Sequence, residues 1–144
     1  MSHLPALHFE AKHNGVYRAS SPLPAWRSCA AAQGLAWCEL DLAGVATKHG
    51  FLDRCAAVLQ FPGGFGGNWD ALADSLEDLS WQPVAGAVIR WENAGAFAKE
   101  ADFATALEIF AAAASYWKQK SRVFLVLMEG GVHSRQTLPG WPPQ

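Results

Sequence analysis

Residues 122–128 read RVFLVLM, six consecutive apolar side chains behind a single base. A run of strand length without polar alternation has no face to offer water, so it predicts a parallel strand covered on both faces or at a sheet centre. Gly130 and Gly131 close it. Ahead of it, Phe103, Leu107, Phe110, Ala114 and Trp117 recur three or four apart, which predicts an amphipathic helix over 102–120 with Asp102 as its N-cap. Lys118 and Lys120 suit the negative end of that helix. Further back, 87–91 (AVIRW) and 35–42 (LAWCELDL) have strand composition. Between those two, 48–59 places Phe51, Cys55, Val58 and Leu59 at helical spacing. Strand, helices, strand, helix, strand is the order of two right-handed crossovers, which make the strands parallel. The fold class is therefore α/β, with a small three-stranded parallel sheet packed with helices.

Residues 1–144 read as a single domain: an N-terminal extension at 1–34, a core at 35–129 and a proline-rich tail at 130–144, expected to be irregular. The extension has one strand (15–19, GVYRA) and one helix (24–33, ended by Gly34) to add to the core. With 51% hydrophobic and 17% charged residues the chain is globular rather than disordered.

The charge is distributed unevenly. Across 55–89 there is no Lys or Arg, yet Asp70, Asp74, Glu77 and Asp78 fall within nine residues, in a chain of formal net charge −2. If Asn68 caps a helix here, Leu72, Leu76 and Leu79 share a docking face and the four acids take the other. Asp70 suits the positive end of the helix dipole. Asp74 has only like charge at three and four residues, at about 0.2–0.5 kcal/mol per pair. Glu77 and Asp78 sit toward the negative end, where a base stabilises. A helix face that gives up stability in this way is suited to a positively charged partner.

Other chemistries lack their residues. The turn PGGFGGN has no phosphate-loop lysine and follows no strand, and GxSxG, HExxH and SxxK are absent. Cys29, Cys38 and Cys55 have neither CxxC spacing nor an even count, and are expected as buried, reduced thiols. His3, His8 and His13 lack a ligand-like partner and read as surface histidines. No metal or cofactor is expected. A net-negative chain is a poor direct binder of nucleic acid. No segment is apolar over the length of a membrane span, and the opening residues show no basic lead into an apolar run, so a cytoplasmic location is the default expectation.

The segment FPGGFGGNWDALADSL, residues 61–76, resembles the signature of the barstar-like family of intracellular ribonuclease inhibitors, and the order of elements agrees from 35 to 129. The resemblance implies no enzyme activity and a one-to-one complex with a basic ribonuclease, or another basic toxin, whose active site the acidic helix plugs. By motif position it implies Asp74 as the central acid, Asp70 and Asn68 beside it, Glu77 and Asp78 at the margin, and Gly64, Phe65 and Ala73 among the contacts. Where the family carries aromatics, this chain has Gly64 and Ala73, and near Ala112 a family acid is missing. The resemblance thus implies a basic partner without implying the family's archetypal one. Two other readings stand beside it. One is a non-inhibitory interaction module, with Trp69 and the leucines as core and the acids solvated; the other is a metal-dependent enzyme using Asp70 and Asp74.

Overall fold

The computed structural model describes residues 8–19, 23–61, 65–79, 85–129 and 138–143. Five strands form one sheet: β1 (Gly15–Ala19), β2 (Ala36–Asp41), β3 (Gly86–Glu92), β4 (Val123–Glu129) and β5 (Gly140–Trp141), in the order β2-β3-β4-β1-β5. Every neighbouring pair is parallel. The expected three-stranded sheet is thus corrected to five. The extension contributes β1, paired to β4 from Gly15↔Leu125 to Ala19↔Glu129, and the tail contributes β5. The tail is therefore not irregular throughout. Its two-residue strand is too short, and too close to prolines, to leave a periodic signal.

Four longer helices cover the sheet: α1 (Leu23–Ala32), α2 (Lys48–Val58), α3 (Trp69–Asp78) and α4 (Asp102–Gln119). The apolar run of β4 explains how. Phe124, Val126 and Met128 join the core beneath α2, α3 and α4, while Val123, Leu125 and Leu127 join a second core with Trp26 and Ala30 of α1. Alternate side chains of a strand point to opposite faces, so a strand between two helical layers needs apolar residues at every position.

Aromatic rings fill the larger core. Phe51 lies stacked on Phe97 with centroids 4.6 Å apart, and Trp91 meets Phe110 edge-on at 5.0 Å. Gly86 has φ +122°, and a Cβ there would come within 2.1 Å of the Val123 carbonyl oxygen, so the close approach of β3 to β4 admits only glycine.

Two polar residues tie the extension down. Asn14 donates to the carbonyls of Ala114 (3.2 Å) and Arg122 (2.8 Å), and its Oδ1 accepts from the Phe124 amide at 2.8 Å. Gln33 brackets Phe9, accepting from its amide at 2.7 Å and donating to its carbonyl at 2.9 Å. Asp102 is the first helical residue rather than the N-cap; Ala101 takes that position without a side-chain hydrogen bond. None of the three cysteines is in a disulfide; only Cys55 is fully buried, while Cys29 and Cys38 are partly exposed. Burial still pushes the Cys38 thiol up to about 11 and raises that of Cys55 further, so neither is a ready nucleophile.

Candidate functional site

The acidic segment forms as its residues dictate. Gly67, at φ +68°, turns the chain through the left-handed region, and Asn68 follows in extended conformation. The Asn68 Oδ1 accepts from the Ala71 amide at 2.7 Å, taking one of the orphan donors at the start of α3. The helix stops at Leu79, a left-handed residue (φ 41°) whose side chain is nonetheless buried. Leu72, Leu76 and Leu79 sit in the larger core, as their spacing predicts.

A second anchor comes from α4. The buried indole of Trp117 donates to the Leu76 carbonyl at 2.7 Å. Leu76 lies in the last turn of α3, where carbonyls lack an intrahelical partner, so this bond closes an end that the helix cannot close itself. The Trp117 ring is engaged too, with the Arg122 guanidinium over it 4.4 Å from its centroid.

On the outward face, Asp70, Asp74 and Asp78 are exposed and Glu77 is partly exposed. Among the described residues none of the four makes an ion pair. Two bases are engaged elsewhere. Arg90 on β3 meets Glu39 at 3.0 Å, Glu92 at 3.5 Å and Glu129, and Arg27 meets Glu39 at 3.5 Å. These pairs lie with α1, on the other side of the sheet from α3. Burial and the surrounding carboxylates hold the Glu92 carboxyl above its usual range, against the pull of Arg90. Among the described residues, one base that the fold brings to the start of the acidic segment is Lys48, whose Nζ stands 5.6 Å from the centre of the Trp69 ring.

The other residues of the motif are placed as follows. Phe65 is partly exposed and tilted against Phe61 at 5.0 Å, Ala73 is partly exposed, and Ala112 is exposed on α4. Gly64, Trp81 and His3 lie outside the described residues. Trp69 is only partly buried, packed on the core beside Phe51 rather than enclosed in it. His8 and His13 border a cavity with Glu10, Trp26 and Trp141. Among the described residues no group of three or more His, Cys, Asp or Glu converges on a common metal position. No helix of the described residues is long and apolar enough to cross a membrane.

Reading the motif alone misses Trp117 and Lys48, and takes Trp69 for a core residue. A buried Trp must find an acceptor for its N–H, which flags Trp117 in a helical stripe, but nothing local names Leu76 as that acceptor. Lys48 precedes Trp69 by 21 positions and carries no signal at all.

What the site can do follows from its chemistry. Carboxylates one helical turn apart, open to water and without an ion pair among the described residues, can accept charge-assisted hydrogen bonds from Lys, Arg or protonated His of another molecule. No curated protein matches this chain. The family model described as Barstar (barnase inhibitor) matches residues 35–129, about two thirds of the sequence, from the strand before α2 to the end of β4. That match takes in the acidic helix and all the elements that hold it, and the chain belongs to the Barstar family.

Proposed function

We propose that this protein is a non-enzymatic inhibitor, of the immunity or antitoxin kind, that binds a basic ribonuclease one-to-one and blocks its active site with α3. The observation that carries the reading is the exposed acidic face of α3, unpaired among the described residues and mounted on a helix fixed by three buried leucines and the Trp117 bond. A site that cleaves RNA is lined with Lys, Arg and His to hold phosphates, and carboxylates on a rigid helix can take the places of those phosphates. Asp74, at the middle of the face, is assigned to the phosphate site. Asp70 and Asn68 stand beside it, Glu77 and Asp78 form the margin, and Gly64, Phe65 and Ala73 complete the contact surface. The Oδ1 of Asn68 is taken by the helix cap, which leaves its amide group for a partner. Segregated negative charge also steers encounter, so association is expected to be fast and to slow with salt. Three cysteines outside any disulfide fit action in a reducing cytoplasm.

The test is inhibition of RNA cleavage by a panel of purified basic microbial ribonucleases, barnase among them, with affinity capture in parallel. Wild-type protein is expected to inhibit at least one, and Asp74→Lys to weaken that complex by about 100-fold or more, since a charge that the complex buries is reversed. Capture unaffected by Asp74→Lys, or capture of partners that are not basic, overturns the reading. One observation favours a second reading, a non-inhibitory interaction module: Ala73 on α3 and the exposed Ala112 on α4 offer no large side chain to a partner. Asp74-dependent capture without inhibition is its signature.

A further inference from the structure

We infer that Lys48 and Trp69 form a second recognition patch beside the acids, and that the partner carries a carboxylate at the rim of its cationic cleft to meet it; this rests on reading α3 as the partner-binding face. Lys48 is the first residue of α2, directly after the Thr47 cap whose Oγ1 accepts from the Gly50 amide at 3.0 Å. A cation at that position opposes the positive end of the helix dipole, where an acid stabilises. Among the described residues Lys48 makes no ion pair; what it meets is the ring of Trp69. Trp69 in turn is partly exposed, lies tilted on Phe51 with centroids 6.1 Å apart, and makes no hydrogen bond through its indole N–H among the described residues. The fold gains little from holding this lysine here.

The two groups are chemically alike toward a partner. An ammonium and an indole N–H both donate and neither accepts, so the complementary group is an acceptor, and a carboxylate satisfies both charge and hydrogen bonding. Trp69 directly precedes Asp70, so the contact face changes sign along its length: donating and aromatic at the start of α3, accepting and negative beyond it. A partly exposed Trp at such a boundary has the features of an interface anchor, and it supplies the aromatic area that Gly64 and Ala73 do not. A partner that is cationic throughout places like charge against Lys48, whereas one with a carboxylate at its cleft rim does not. The patch therefore selects among basic proteins.

The experiment uses the sign of one substitution. Wild type, Lys48→Glu, Lys48→Gln, Trp69→Leu and Asp74→Lys are titrated, at low and at physiological salt, against whichever ribonuclease of the panel the wild type inhibits, barnase being tried first. If the face works only by being negative, Lys48→Glu adds an acid against a basic partner and tightens the complex. The patch predicts the reverse: Lys48→Glu weakens binding by at least about 10-fold, Lys48→Gln by less, and Trp69→Leu by at least about 10-fold, with thermal unfolding confirming that each variant is folded. Lys48→Glu places an acid at a helix start and so does not threaten folding. Unchanged or tighter binding by Lys48→Glu overturns the inference while Asp74→Lys still abolishes the complex. If Asp74→Lys binds as the wild type does, or no ribonuclease of the panel is bound, the reading of α3 falls and this inference falls with it.

Discussion

Asp70 and Asp74 are the same residue type one turn apart on the same exposed helix face, but the field of α3 acts on them with opposite sign. Asp70 stands in the first turn, where the unpaired amides favour negative charge by about 0.3–1 kcal/mol. Asp74 is beyond that turn and has Asp70, Glu77 and Asp78 as its i−4, i+3 and i+4 neighbours, each repelling by about 0.2–0.5 kcal/mol. Neutralising each acid in turn should therefore split them. Asp70→Asn is expected to lower stability by some tenths of a kcal/mol, and Asp74→Asn to raise it by about 0.6–1.5 kcal/mol, in urea unfolding at low salt, with both effects shrinking as salt is added. Equal effects from the two substitutions contradict the assignment of Asp74 as the acid the fold does not use. This much was legible in the sequence, because helix position and charge spacing are local properties. Asn14, Lys48 and Trp117 were not. Asn14 bonds Ala114 and Arg122, about a hundred residues away, and the meaning of such side chains exists only once the chain is folded.

As an element, α3 is a helix whose own charges work against its last turn. Glu77 and Asp78 lie at the negative end of the dipole, and the stop at Leu79 requires left-handed backbone that a residue with a Cβ adopts at a cost of roughly 1–2 kcal/mol. The bond from Trp117 to Leu76 and the burial of Leu79 offset this. Trp117→Phe keeps an aromatic ring in the core and removes only the donor and part of the ring, leaving the Leu76 carbonyl buried without it. The expected cost is about 1–3 kcal/mol in denaturant unfolding. Amide exchange is expected to quicken most in the second half of α3, with β3 and β4 rising only by the global loss. Uniform exchange across the protein argues against a local latch. The elements themselves were read from the sequence closely, β1 to the residue and α3 from its Asn68 cap, because periodicity and capping are written in neighbouring residues. The start of α4 differs by one residue, since Asp102 has the chemistry of a cap but is the first helical residue, with Ala101 at the cap position. The sheet order was not legible at all: which edge β1 joins depends on contacts with β4, more than a hundred positions away.

At the scale of the molecule, the segment that matches the family builds three strands and one helical layer, and the remainder of the chain covers the other side of the sheet. Val88, Val123, Leu125 and Leu127 lie on that second side with Leu35, each at most 8% exposed, in a core that Ala19 joins and that Phe9, Tyr17, Trp26, Ala30 and Trp141 complete. All five of these covering residues fall outside 35–129. Uncovering four branched aliphatic side chains forfeits about 1.5–3 kcal/mol each, and their sum rivals the whole 5–15 kcal/mol stability of an ordinary domain. A piece comprising 35–129 alone is accordingly expected to lose cooperative unfolding, to bind an apolar dye such as ANS, and to self-associate at micromolar concentration. Supplying residues 1–34 as a separate peptide should not restore it fully, because Trp141 is missing from both pieces. Sedimentation and denaturant unfolding of the piece decide the matter. A monomeric 35–129 that unfolds in one sharp transition near the wild-type midpoint shows that the second layer is an accessory, and that α3 needs only the first layer to stand rigid before its partner.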